Sequence, residues 1–435
     1  MISTNKLKKR NVYLNKLIQF QDTEPVKVVT GIRRCGKSCL LKLMAEHLRN
    51  SGIKDEQIIE MDFEKYEFGK MTGDSFYKYV KDRILPDPNQ RMYLFFDEIQ
   101  RVPQWEDAVN SFRVELNCDI YITGSNAYLL SSEYATYLAG RYVEIKMLPL
   151  SFSEFIYFHD LRLEEITGVL GHRKKQFRDK NGTLYDLNEV FEAYLRFGGM
   201  PGISEVGLDQ EKALVLLDGI YSTVVMRDIL EKKVVSDPIL LRKIIMFLAD
   251  NIGSNISVSS IGNVLVNEGL LEDRRKKSAP SAHTVQTYVN ALLESYIFYE
   301  TKRFDIKGKD YLRTLSKYYI VDIGIRNYLL GFRDRDSGHI LENVVYFELI
   351  RRGYDVAIGK VDKTEVDFVA TKADDKKYIQ VTESMLEKTV CERELAPLQR
   401  INDNYEKIIL SLNPGIESSY EGIKSLNVID WLLDS

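Results

Sequence analysis

The chain has 435 residues, more than one ordinary domain of roughly 100–200 residues holds, so two or three domains are expected. A hydrophobic content of 44 % and an aromatic content of 11 % supply enough apolar side chain for buried cores and exclude a largely disordered chain. Lys and Arg total 60 against 64 Asp and Glu, a formal charge of −4, which excludes a uniformly basic nucleic-acid binder and leaves room for a local basic patch.

The N-terminal segment MISTNKLKKR is charged and has no apolar core, so no secretory signal is expected. No apolar run approaches the roughly 18 residues of a membrane-spanning helix, so no membrane partner is expected. Cys35, Cys39, Cys118 and Cys391 form no CxxC pair. That spacing gives no support to a disulfide scaffold or a zinc ribbon, and reduced thiols fit a cytoplasmic protein.

Strand-like runs follow at 26–31 (VKVVTG), 57–63 (QIIEMDF), 92–99 (MYLFFDEI), 119–125 (DIYITGS) and 142–148 (YVEIKML). Helix-length amphipathic segments separate them, and several runs are apolar at consecutive positions. Both features predict an α/β fold with a doubly wound parallel sheet buried on both faces. Between the first strand and its helix, GIRRCGKS (31–38) fits G-x-x-x-x-G-K-[ST] at every fixed position. Glycines at those positions let the backbone curl around phosphates, and the helix N-terminus adds partial positive charge. The nucleotide-binding candidates are Gly31, Ile32, Arg33, Arg34, Cys35, Gly36, Lys37, Ser38 and Cys39. Lys37 would reach the β- and γ-phosphates, and the Ser38 hydroxyl would ligate Mg²⁺.

The third strand ends in YLFFDEIQ. Asp97 stands where an acidic residue would hold Mg²⁺, and Glu98 is placed to orient and deprotonate an attacking water. An adjacent Asp-Glu pair points to the hydrolytic ATPase branch rather than the GTPase one; a capping pair at a strand end is the alternative. The fourth strand ends in TGSN (123–126), where Asn126 or Ser125 could hydrogen-bond the γ-phosphate or the water. Arg141, in LAGRY just before the fifth strand, is a candidate finger or phosphate-sensing arginine, or else a structural ion pair.

From 151 to 235 the pattern reads as mostly helical, with a basic surface loop at 171–183 and a Gly/Pro-rich turn, FGGMPG, at 197–202. Short helices and a hairpin follow over 236–330. Beyond 331 come a helix near 340–352 and strand signals in DVAIGK, EVDFVAT, KYIQVTE and KIILSL, which describe a second, smaller α/β domain. TKAD (371–374) matches the guanine-reading pattern [NT]-K-x-D, but it lies 334 residues after Lys37, too far for a single-domain G protein, and is read as coincidence.

Taken as an ordered set, GIRRCGKS, FFDEIQRVPQWE, ITGSN, LAGRYVEIKMLPLSFSEF, FGGMP and EVDFV with IQV resemble the prokaryotic AAA+-like ATPases whose P-loop domain precedes a C-terminal domain of uncharacterised function. The resemblance spans nearly the whole chain. It implies an AAA+-type ATP-binding domain, a winged-helix middle region and a restriction-endonuclease-like C-terminal fold.

In the middle region, SVSSIGNVLV (257–266) and SAHTVQTYVNALLESYIFYE (281–300) followed by KRFDIKGKDYLR make a plausible winged helix-turn-helix. The candidate DNA contacts are Arg274, Arg275, Lys276 and Lys277 in its loop and Lys302, Arg303 and Lys307 in its wing. Residues 271–313 hold nine basic against six acidic side chains, a surplus of three, and winged helices also dock proteins. In the last domain, Glu342, Glu365 and Asp367 fit the acidic positions of a nuclease site. The (D/E)-x-K tripeptide, however, is occupied by Gln380-Val381-Thr382. An amide there can ligate Mg²⁺ only weakly, the water-activating lysine is missing unless Lys388 replaces it, and a vestigial site is expected.

These readings divide the chain into a P-loop ATPase domain (1–150), a helical linker or lid (151–235), a winged helix-turn-helix (236–330) and a degenerate restriction-endonuclease-like domain (331–435). The expected activity is Mg²⁺-dependent ATP hydrolysis coupled to conformational change. The cofactors are ATP and Mg²⁺, and the candidate partners are duplex DNA and self-association through the ATPase domain. A nucleotide-gated protein-interaction switch and an ATP-gated nuclease are the alternatives.

Overall fold

A computed structural model of the chain describes residues 7–125, 140–167, 173–230, 235–267, 280–333, 336–415 and 417–434. These fall into two compact units, one of residues 1–148 with 294–296 and one of 149–293 with 297–435. No helix among the described residues is long and apolar enough to cross a membrane.

In the first unit the five predicted strands form: β1 (Val26–Thr30), β2 (Ile58–Asp62), β3 (Met92–Asp97), β4 (Cys118–Gly124) and β5 (Tyr142–Lys146). They pair in the order β2-β3-β4-β1-β5, and every pairing is parallel. Every residue of β1 and of β3 is buried, as strands covered on both faces must be. Helices α1 (Asn11–Gln19), α2 (Lys37–Asn50), α3 (Gly73–Lys81) and α4 (Trp105–Glu115) accompany the sheet. One core cluster joins Leu94, Phe96 and Ile122 from the strands with Phe76 of α3 and Phe112 of α4. The Phe76 ring meets Phe96 edge-on at 4.8 Å and Phe112 at 5.4 Å, a geometry aromatic quadrupoles favour.

The second unit begins with α5 (Phe152–Phe158), α6 (Leu187–Phe197) and α7 (Gln210–Thr223). Between α5 and α6 lie β6 (Arg162–Thr167), β7 (Arg173–Arg178) and β8 (Leu184–Asp186), a small antiparallel sheet. This corrects the expected surface loop at 171–183. The run RKKQFR becomes a strand because it pairs on both sides, buries Phe177 completely and sets Arg178 on Glu164 at 2.7 Å.

Helices α8 (Pro238–Asp250), α9 (Val258–Asn267) and α10 (Ala282–Glu294) are followed by β9 (Phe298–Asp305), β10 (Asp310–Ile320), α11 (Ile323–Leu330) and α12 (Ser337–Arg351). Then come β11 (Asp355–Val361), β12 (Thr364–Lys372), β13 (Asp375–Ser384), α13 (Lys388–Gln399), β14 (Glu406–Asn413), β15 (Ser419–Tyr420), β16 (Ile423–Asn427) and α14 (Val428–Leu433). Eight strands form one sheet in the order β10-β9-β11-β12-β13-β14-β16-β15. The hairpin expected as the wing of a winged helix-turn-helix is built into this sheet, with β9 pairing parallel to β11 through Ile358–Arg303 and its neighbours.

The FGGMP motif finds its reason here. Asp322, at the N-cap of α11, accepts from the Gly199 amide at 2.7 Å and from the Ile325 amide at 3.1 Å. A side chain on Gly198 (φ 76°) would lie 2.3 Å from Asp322 Oδ1, so only glycine fits. Burial pushes the Asp322 carboxyl up to about 6 in spite of its backbone donors.

Candidate functional site

The loop at 31–36 joins β1 to α2 at the C-terminal end of the parallel strands, where ligands bind in open α/β sheets. Gly31 has φ 138°, and a Cβ there would lie 2.1 Å from the Met147 carbonyl oxygen. Gly36 (φ 105°) is the left-handed N-cap of α2, and Arg34 (φ 66°) is a non-glycine residue in the same region. Backbone that alternates hand in this way makes an anion-binding concavity. Buried Arg10 pins it from below, donating from Nη1 to Cys35 O at 3.1 Å and to Leu148 O at 2.8 Å. No motif announces that residue. Ile32 and Cys35 are buried, and burial pushes the Cys35 thiol up; Arg34 and Cys39 are exposed.

Lys37 is buried, and its Nζ donates to Gly31 O at 3.0 Å and Ile32 O at 3.2 Å, 4.0 Å from Glu98 Oε1. Asp97 and Glu98 close the opposite side. Burial pushes the Asp97 carboxyl up, against hydrogen bonds from Ser38 and Thr123. Thr123 ties the pair together: its hydroxyl donates to Asp97 Oδ1 and accepts from the Glu98 amide at 2.9 Å. Glu98 has φ 54°, a left-handed conformation that costs a non-glycine residue on the order of 1 kcal/mol or more. Its Oε2 accepts from Gln100 Nε2 at 2.6 Å and Ser125 Oγ at 3.2 Å, with Arg33 Nη2 at 3.8 Å. Arg33 also pairs with Glu64 at 2.9 Å.

The predicted loop, Ser38, Asp97 and Glu98 thus come together. Thr123 was overlooked in favour of its neighbours; the signal was the TGSN strand end itself, because β4 lies between β1 and β3. Ser125 does reach Glu98, while Asn126 lies outside the described residues. Arg141 is not brought to its own loop. Its carbonyl accepts from Val26 N at 2.9 Å, and Val26 pairs with Tyr142. It is exposed at the start of β5, and from residue 26 to 31 a strand rises about 16 Å at roughly 3.3 Å per residue. An arginine there cannot reach a phosphate held by its own loop.

The second set of candidates also meets, around a residue the motifs did not name. Glu342 comes from α12, and Glu365 and Asp367 from one face of β12. Lys317 of β10 enters between them, with Nζ 2.9 Å from Glu342, 2.8 Å from Glu365 and 4.0 Å from Asp367. Burial alone would lower the Lys317 ammonium, but Glu342, Asp367 and Glu365 carry it above the ordinary lysine value. Burial and the nearby Glu342 hold Asp367 well above the carboxylate range, with Lys317 opposing. Lys317 is thus a lysine at this cluster from outside the tripeptide, whose third position remains Thr382, and Lys388 is not the substitute. It is 89 % exposed, 3.8 Å from Glu392 on its own helix. Gln380 accepts from the Asp367 amide at 3.3 Å and donates to Glu394 at 3.0 Å.

Of the candidate DNA contacts, Arg274, Arg275, Lys276 and Lys277 lie outside the described residues. Lys302 is exposed, Arg303 half-buried, and Lys307 pairs with Asp362 at 2.7 Å.

A five-stranded parallel sheet that sets a G-x-x-x-x-G-K-S loop against an Asp-Glu strand end defines a P-loop, AAA-type ATPase-like domain, and residues 23–156 match the AAA domain family. Residues 188–336 match a domain of unknown function (DUF8612). An uncharacterised protein of Haemophilus influenzae is 38 % identical over 424 residues, covering 98 % of each chain. One of Methanocaldococcus jannaschii is 30 % identical over 394 residues, covering 89 % of this chain and 79 % of that one. The chain belongs to the family of these two proteins. Among solved structures, a Walker-type ATPase of Pyrococcus abyssi is similar with 16 % identity and TM-score 0.48 over 74 % of this chain and 95 % of its own. The ORC1 protein of Aeropyrum pernix, solved with DNA, has 12 % identity and TM-score 0.32 over 74 % and 92 %.

Proposed function

We propose that the protein is a Mg²⁺-dependent ATPase whose nucleotide turnover changes the conformation of its C-terminal parts. The observation that carries this reading is the joined network of Ser38, Asp97, Thr123 and Glu98 facing Lys37 across 4.0 Å. Lys37 rests on two neutral carbonyl oxygens and exchanges them for phosphate oxygens when ATP enters the loop. Glu98, held by Ser125 and Gln100, orients the attacking water and takes its proton. A hydroxyl and a carboxylate already in hydrogen-bond contact are hard oxygen donors suited to Mg²⁺, so Ser38 and Asp97 would hold the ion. When bound, it supplies charge neutralisation on the phosphates.

For the remainder, α9 and α10 with the hairpin support a winged-helix reading. The run α12-β11-β12-β13-α13-β14, with β11 to β13 antiparallel and β14 parallel to β13, supports a restriction-endonuclease-like one. Steady-state ATP hydrolysis with and without duplex DNA, beside a Glu98→Gln control, tests the proposal. Turnover absent in the parent, or equal in the control, overturns it. Stimulation by DNA assigns the C-terminal parts to DNA, and indifference to DNA removes the DNA-coupled reading.

A further inference from the structure

We propose that Lys317 is the resident cation of the Glu342–Glu365–Asp367 site, so that this domain takes up no divalent metal there and cuts no nucleic acid.

A restriction-endonuclease-like fold implies a metal held by these carboxylates, and the residues present do not fit one. The Lys317 ammonium already stands 2.8–4.0 Å from all three, with its side chain only 5 % exposed and that of Glu342 9 % exposed. Divalent ions sit about 2.0–2.6 Å from carboxylate oxygens. An ion drawn that close to the same oxygens would confront the buried ammonium.

Part of the remaining donor capacity is also spent. Glu342 Oε1 accepts from the Tyr319 hydroxyl at 2.6 Å, Glu365 Oε2 from Asn255 Nδ2 at 2.9 Å, and Asp367 Oδ2 from the Val381 amide at 2.8 Å. Gln380, which stands where a ligating carboxylate would, has its carbonyl oxygen on the Asp367 amide and its nitrogen on Glu394. Nor does the lysine act as the missing third member of the tripeptide. That position is Thr382 on β13, whereas Lys317 approaches from β10, buried from any phosphodiester. Glu342, Glu365 and the Lys317 ammonium therefore form an ionic core beside the Asp367 carboxyl, and the domain serves as a folded binding module.

The test uses the full chain carrying Asp97→Asn, which removes the metal ligand of the nucleotide site, and follows free Mn²⁺ by electron paramagnetic resonance. Adding Asp367→Asn should leave Mn²⁺ uptake unchanged. Replacing Lys317 by Ala should create uptake of about one equivalent, lost again when Asp367→Asn is added. An equivalent of Mn²⁺ bound by the parent and lost with Asp367→Asn overturns the proposal, as does a folded Lys317→Ala protein that takes up no more than its parent. Should Lys317→Ala fail to fold, the comparison of the parent with Asp367→Asn decides alone. Plasmid DNA incubated with Mg²⁺ or Mn²⁺ should stay intact, and nicking that disappears in Asp367→Ala also overturns it.

Discussion

Among the buried lysines of the described residues, Lys37 and Lys317 both face carboxylates, and they are held in opposite ways. Lys37 leans on the neutral carbonyls of Gly31 and Ile32, and its nearest carboxylate oxygen, on Glu98, is 4.0 Å away. Lys317 is clasped by Glu342 and Glu365 at 2.9 and 2.8 Å. The ammonium's hydrogen bonds to neutral carbonyls are worth about 1.5–3 kcal/mol and leave no charge unpaired when exchanged for a phosphate. Breaking a buried ion pair leaves an uncompensated charge and costs about 3–5 kcal/mol. A lysine meant to meet an incoming anion must be loosely held; one meant to stay is locked by charge.

The sharpest way to break the comparison lies beside the loose lysine. Glu98→Gln should keep ATP affinity while turnover falls about 10²–10⁴-fold, the scale of losing a general base. Near-normal hydrolysis by this variant would falsify the assignment of the base. Next in size is the locked lysine. Lys317→Met leaves buried carboxylates without their counter-ion, and unfolding free energy should drop by about 3–5 kcal/mol. Chemical denaturation reads this directly, and a loss within error of zero would make the clasp ornamental.

Lys37→Ala should do the reverse. It should cost less folding stability than Lys317→Met, since it surrenders neutral acceptors, but ATP affinity should fall by about 1.5–3 kcal/mol, the worth of hydrogen bonds to a charged group. Calorimetric titration with a non-hydrolysable ATP analogue measures it, and unchanged affinity would mean that the lysine does not move to the phosphates. The smallest effect belongs to Arg141→Ala. From the far end of β5 it should shift stability by about 0–1 kcal/mol, as exposed charges do, and leave the turnover of the isolated chain unaltered. A sharp fall in turnover that appears only as protein concentration rises would instead assign this arginine to a neighbouring copy's phosphate.

Much of the nucleotide site is legible in the sequence alone. The loop at 31–38 and the pair Asp97-Glu98 are carried by runs of adjacent residues, and backbone hand and strand ends are local properties. The five parallel strands were legible for the same reason, because burial on both faces leaves continuous apolar runs. The basic run at 173–178 was misread because its strand character comes from partners on either side rather than from its own pattern.

What only the tertiary structure decided is which distant residues meet. That β4 slots between β1 and β3 brings Thr123 onto Asp97, and that β5 runs parallel to β1 removes Arg141 from the loop. That β10 joins the same sheet as β12 carries Lys317 to carboxylates 25, 48 and 50 positions further along the chain. A motif records neighbours in sequence, because their spacing sets a local backbone conformation. A buried ion pair records neighbours in space, chosen by strand order and by the cost of leaving a charge unpaired, and no short run of residues carries either.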